Sequence, residues 1–139
     1  MITAIDTNVL LDILVPDPQY FDAAVEAIEA SAERGSLVIC DVVYAELCVH
    51  FASQADCDDF LTSNEIRVEA LTRAAHFAAS RMWRMYRAQG GMRNRILPDF
   101  FVGAHARFQA DRLVTRDRGF YGGFFAGLRV VDPSAGVLG

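Results

Sequence analysis

The stretch Ile2-Thr3-Ala4-Ile5-Asp6-Thr7-Asn8-Val9-Leu10-Leu11-Asp12-Ile13-Leu14 decides the fold of this chain. Ile2 to Ile5 is a short β-rich run. It stops at Asp6-Thr7-Asn8, three residues whose short polar side chains favour helix starts because they accept from free backbone N–H groups. Val9 to Leu14 then continues as an apolar helix. The unit is strand, acid, helix, with a carboxylate where a strand ends and a helix begins.

Working outward, the same alternation repeats. Pro16-Asp17-Pro18 interrupts, and Tyr20 to Arg34 carries Phe21, Ala24, Val25, Ile28 and Ala32 at helical spacing until Gly35. Leu37 to Cys40 is apolar on both faces, as strands of buried parallel sheets are. Asp41 then opens a helix to about Phe51, and Ser53 to Leu61 a short one. A strand is predicted at Ile66 to Val68, and the longest helix at Thr72 to about Gln89, with an apolar stripe of Ala75, Ala78, Ala79, Met82, Met85 and Tyr86. Gly90-Gly91 closes it. Pro98-Asp99 opens a helix to about Ala110. A strand at Arg112 to Thr115, a turn at Arg116 to Gly119 and a last strand at Leu128 to Val131 follow. This order predicts a single α/β domain over residues 1–139, with a central parallel sheet of about five strands and helices on both faces.

Composition narrows the function. With 139 residues, 53% of them hydrophobic, the chain suits one domain with a full core, and no stretch approaches the roughly 20 apolar residues of a membrane helix. The start, without basic residues and with an acid at Asp6, does not read as a secretory signal, so a cytoplasmic protein is expected. Cys40, Cys48 and Cys57 form no CxxC pair and read as small buried hydrophobes. All 13 basic residues are arginine. Without lysine, a Walker A loop, a Schiff-base enzyme and the usual aspartate-nucleophile phosphatase or receiver site are excluded. The net charge of −5 divides unevenly. Residues 1–66 hold 13 acids and 1 arginine, and residues 67–139 hold 5 acids and 12 arginines, for nets of −12 and +7. One half suits cations and the other phosphates or a protein partner.

Ligands of open parallel sheets bind beyond the carboxyl ends of the strands, where strand order switches. Asp6 ends the first strand and Asp117 follows the fourth, so both belong to that crevice; a helix cap and a turn are their ordinary explanations. Glu46 sits among Val42, Val43, Leu47 and Val49, which places its charge on or beside a buried stripe. Charges are seldom buried unless paired or metal-bound. Asp99 lies in a first helical turn, where the helix dipole alone favours it, but between Leu97-Pro98 and Phe100-Phe101-Val102. Four carboxylates from separate segments would suit a hard divalent cation.

Asp6-Thr7-Asn8-Val9-Leu10, Tyr44-Ala45-Glu46-Leu47, Leu97-Pro98-Asp99 with Ala104-His105-Ala106, and Leu113-Val114-Thr115-Arg116-Asp117-Arg118-Gly119-Phe120 resemble the four blocks of PIN domains, and more narrowly of the VapC toxins. The resemblance spans nearly the whole chain, in order. It implies an endoribonuclease dependent on Mg²⁺ or Mn²⁺, the toxin of a toxin–antitoxin pair, with Asp6, Glu46, Asp99 and Asp117 as catalytic metal ligands. Thr7, Asn8 and Thr115 would support them by hydrogen bonds. It also implies an RNA substrate, a small DNA-binding antitoxin and a homodimer. Gly119 stands where many relatives carry an acid or polar residue, and His105 where Thr or Ala is common. Arg93, Arg95, Arg116 and Arg118, flanking Asp99 and Asp117, would hold the RNA backbone, since the arginine fork gives a phosphate two hydrogen bonds. On the long helix Arg73, Arg84 and Arg87, with Arg81 at their edge, face solvent, RNA or antitoxin. The competing expectations are a catalytically inactive PIN-like module that binds RNA or a protein, and a phosphorylation domain built on Asp6. The latter lacks a second aspartate at Asn8.

Overall fold

The computed structural model describes residues 1–90 and 97–136. Its elements run β1 (Ile2–Ile5), α1 (Thr7–Leu14), α2 (Phe21–Arg34), β2 (Ser36–Cys40), α3 (Asp41–Cys48), α4 (Gln54–Ser63), β3 (Ile66–Glu69), α5 (Arg73–Ala88), α6 (Leu97–Gln109), β4 (Arg112–Val114), α7 (Arg118–Phe124), β5 (Val130–Val131) and α8 (Pro133–Gly136). The five strands form one sheet in the order β3-β2-β1-β4-β5, every pair parallel. Ala4 of β1 is registered with Val38 on one side and Leu113 on the other.

The sheet carries the core because its central strands have little to present to water. Ile5, Val38, Ile39, Leu113 and Val114 are almost fully buried, each contributing about 1.5–3 kcal/mol on burial. With the right-handed crossovers that parallel sheets favour, the chain runs outward from β1 through β2 to β3 on one side and then through β4 to β5 on the other. That spreads the helices over both faces, with α2 packed on β2 and α6 on β4. The order reverses between β1 and β4, and Asp6 and Thr115 follow the carboxyl ends of these two strands, the position where open parallel sheets generally bind ligands.

Two helices were not visible in the sequence. The turn predicted at Arg116 to Gly119 passes directly into α7, and Pro133 opens α8. The α7 sequence, RGFYGGF, holds three glycines, a poor local helix former. Tertiary packing overrides this: Phe120 lies edge-on to Phe100 at 5.2 Å and Phe124 edge-on to Tyr86 at 5.3 Å. The residue after α7, Phe125, presses on α6 at Gly103, where an added Cβ would collide with its ring. Helix α3 is also shorter than predicted, ending at Cys48, where His50 N and Phe51 N turn back to the carbonyls of Leu47 and Cys48. Of the α5 stripe, Ala75, Ala79 and Tyr86 are buried, but Met85 is 58% exposed, and Trp83 packs partly against the core. The three cysteines are free.

Candidate active site

Strand β1 delivers Asp6 to the carboxyl edge of the sheet, where its side chain accepts from Thr7 N at 2.8 Å through Oδ1 and serves as the N-cap of α1. The other oxygen, Oδ2, accepts the Thr115 hydroxyl at 2.8 Å and Asn8 Nδ2 at 3.4 Å. Thr115, fully buried, takes two further donors, Asn8 Nδ2 at 3.3 Å and Asp117 N at 3.0 Å. Asn8 Oδ1 in turn accepts from Arg116 N at 3.2 Å. The ends of β1 and β4 are therefore laced together around one carboxylate. Asp6 is 8% exposed, and burial holds its carboxyl up to about 6 against the hydrogen bonds that oppose the rise; the charge of Glu46 pushes it further.

Glu46 reaches the same place by a route other than the one its sequence setting suggested. The buried stripe of α3 is Val43 and Leu47, and Glu46 is exposed. Its Oε1 accepts the Thr7 hydroxyl at 2.8 Å, so a threonine of α1 orients it from 39 positions away. Asp99 lies in the first turn of α6 and Asp117 at the N-cap position of α7, both half-buried.

Tyr121 connects these acids. It is 2% exposed in α7, and its phenol is pushed far above its usual value by burial and by the charges of Asp6, Asp99 and Asp117. The phenol thus stays protonated.

A PIN domain family model matches residues 3–122. The chain belongs to the PIN domain family. Among curated protein sequences none matches it. Solved structures with the same fold include VapBC2 from Rickettsia felis bound to a promoter DNA fragment, with a TM-score of 0.73 at 18% identity, covering 95% of this chain and 98% of that one. Also similar are VapBC-1 from nontypeable Haemophilus influenzae, at 0.70 and 17% over 96% and 99%, and a toxin–antitoxin complex from Klebsiella pneumoniae, at 0.66 and 20% over 94% and 97%. At these identities the likeness is one of fold.

In this PIN domain the described residues hold no group of three or more His, Cys, Asp or Glu already gathered closely enough to cage a metal ion. The donor set nevertheless suits one. Asp6, Glu46, Asp99 and Asp117 offer only oxygen, as hard divalent cations prefer, and Asp6 bears a burial penalty that a neighbouring cation would relieve.

Among the arginines, Arg116 is engaged by Asp12 of α1 and by Tyr20. Its Nε and Nη2 donate to Asp12 Oδ2 and Oδ1 at 2.7 and 3.1 Å, and its guanidinium lies 4.1 Å from the centre of the Tyr20 ring. Asp12 is 5% exposed, and its contact holds Arg116 above the usual arginine range. Arg118 begins α7 and is exposed; Arg93 and Arg95 lie outside the described residues. His105 is buried with Nε2 2.9 Å from Glu69 Oε1, tying α6 to the end of β3. Tyr121 was missed in the sequence, and so was the Asp12–Arg116 pair. An aspartate on the apolar face of α1 was the available signal for the latter.

Proposed function

We propose that this PIN domain is a metal-dependent endoribonuclease acting as the toxin of a toxin–antitoxin pair. The observation supporting this reading is electrostatic, because acids from four separated segments act on Asp6 or on Tyr121. Glu46 acts on Asp6, and Tyr121 feels Asp6, Asp99 and Asp117 together. A scaffold that only bound a partner would have no use for such mutual repulsion.

A Mg²⁺ or Mn²⁺ ion held by Asp6, Asp99, Glu46 and Asp117 would supply Lewis acidity to the scissile phosphodiester and to an attacking water. The protein contributes orientation. Thr7 N and the Thr115 hydroxyl fix the two oxygens of Asp6, Asn8 braces both Asp6 and the Arg116 backbone, and the Thr7 hydroxyl turns Glu46 toward the same crevice. Exposed Arg118, with Arg93 and Arg95, would bind RNA phosphates; Arg116 could add the donors that Asp12 leaves free. In-line hydrolysis would leave a 5′-phosphate and a 3′-hydroxyl, without a protein nucleophile.

The similar structures named for toxin–antitoxin complexes support a small DNA-binding antitoxin as the partner. We further propose a homodimer working in the cytoplasm; among the described residues no helix is long and apolar enough to cross a membrane. The test is cleavage of labelled RNA by the purified chain. Cleavage with Mg²⁺ or Mn²⁺, lost in excess EDTA and in Asp99→Asn, supports the reading. Full cleavage under either condition overturns it.

A further inference from the structure

The pole of the sheet opposite Asp6 carries a buried charge that no carboxylate among the described residues pairs with. Arg112 opens β4 and is 6% exposed. Its Nε donates to Thr3 Oγ1 at 3.0 Å and its Nη2 to Ser31 Oγ at 2.8 Å. Both acceptors are neutral. Among the described residues the ion pairs are Arg67–Glu69, His105–Glu69 and Arg116–Asp12, so no carboxylate pairs with Arg112. Its Nη1 donates to none of them either. Because Trp83 Nε1 is the one buried side-chain N or O among the described residues without a partner, the free edge of the Arg112 guanidinium reaches solvent.

More positive charge surrounds that edge. Arg34 ends α2, three residues beyond Ser31, and its carbonyl accepts the Met1 ammonium at 3.3 Å. The Arg129 carbonyl accepts Leu113 N at 2.8 Å, which sets Arg129 beside the start of β4. Arg34 and Arg129 are exposed, and with burial they weaken the grip of Arg112 on its proton. Against this stand exposed Asp111, which accepts Ile2 N at 2.6 Å, and the carbonyl end of α2, equivalent to about half a charge. In a chain of net charge −5 this concentration calls for an anion.

We propose that Arg34, Arg112 and Arg129 form a phosphate-binding site at the amino ends of the strands, distinct from the acid cluster. Arginine forks suit it, because one phosphate can accept paired, charge-assisted bonds from each. The phosphate is either free or borne by RNA. The site stands whether or not the crevice cleaves RNA, since none of its three arginines belongs to that crevice.

The test uses the full chain in metal-free buffer at fixed ionic strength, with chloride as the control anion. Inorganic phosphate is titrated while the arginine Nε–H resonances are followed by NMR. Phosphate should shift the Arg112, Arg34 and Arg129 signals and raise the melting temperature. Replacing the exposed pair, Arg34→Gln with Arg129→Gln, should weaken binding by about tenfold or more, the scale of losing charge-assisted contacts. Arg112→Lys keeps the charge and removes the fork, and should weaken it similarly; should that variant fail to fold, the exposed pair still decides. Competition distinguishes the source. Displacement by unphosphorylated RNA indicates backbone phosphate, displacement only by 5′-phosphorylated RNA a terminal phosphate, and no displacement a free anion. Unshifted arginine signals at millimolar phosphate, or undiminished binding by the double variant, overturn the proposal.

Discussion

The Thr115 hydroxyl lies 2.8 Å from Asp6 Oδ2, a bond across 109 positions of sequence that joins the ends of β4 and β1. Thr115 also accepts Asp117 N and Asn8 Nδ2. One buried hydroxyl therefore aligns two of the four acids. Thr115→Val preserves shape and leaves Asp117 N and Asn8 short of an acceptor. It should lower stability by about 1–3 kcal/mol, the cost of stranding buried polar groups, measured by urea denaturation. Cleavage should fall by about 10–100-fold, as when a group orienting a metal ligand is lost. Wild-type stability and activity together would show the bond to be incidental.

Asp6 makes metal-free stability depend on pH in a defined sense. Its carboxyl is held up to about 6 against an unfolded value of 3.8, so the fold favours the protonated form. The stability that follows is fully present below pH 4 and is lost as pH rises through 6, by about 3 kcal/mol at 1.36 kcal/mol per unit. Asp6→Asn should thus gain on the wild type between pH 4 and 7 in EDTA. Mn²⁺ should stabilise the wild type more at pH 7.5 than at pH 5, because protons compete for the same oxygens. Chemical denaturation of both proteins across this range checks the slope; parallel curves would remove Asp6 as its source.

Tyr121 should act on the same carboxyl. Its phenol favours the ionised form of Asp6, so Tyr121→Phe should raise the Asp6 carboxyl above about 6. Removing the Glu46 charge by Glu46→Gln should do the reverse, since that charge pushes Asp6 upward. Carboxyl ¹³C NMR titration of metal-free protein reads both shifts. Movement of the two variants in the same direction would contradict the arrangement around Asp6.

These relationships were unevenly legible in the sequence. The strand, Asp6 and the start of α1 were readable because capping and β-rich runs are local signals. The sheet was readable because its central strands are apolar on both faces. Tyr121 was hidden because its position depends on α7, whose glycines argue against a helix and whose aromatic packing on Phe100 and Tyr86 comes from distant segments. Glu46 was expected on or beside the buried stripe of its helix, and it lies beside it, exposed, for a geometric reason. Eight residues of α3 bury only Val43 and Leu47, leaving Glu46 to be set by Thr7 instead.

Arg116 and Arg118 were both expected to hold RNA, and their surroundings make the expectation separable. Arg116 forms a two-point contact with nearly buried Asp12 and stacks on Tyr20, whereas Arg118 is exposed. Breaking the first contact by Asp12→Asn should destabilise the fold by about 1–3 kcal/mol, below the 3–5 kcal/mol of a fully buried pair because Arg116 is 28% exposed. Arg116→Ala should lower the melting temperature comparably, with further loss from the Tyr20 contact. Arg118→Ala should leave the melting temperature unchanged, weaken every single-stranded RNA alike and reduce the salt slope of binding by about 0.7 log units per log unit. Binding isotherms at several salt concentrations, taken with the catalytically impaired Asp99→Asn background to prevent cleavage, measure that slope. A slope unchanged in Arg118→Ala would assign Arg118 to solvent or a protein partner. A reduced slope in Arg116→Ala at undiminished stability would mean that Asp12 does not hold the guanidinium in solution, and would return Arg116 to the RNA surface.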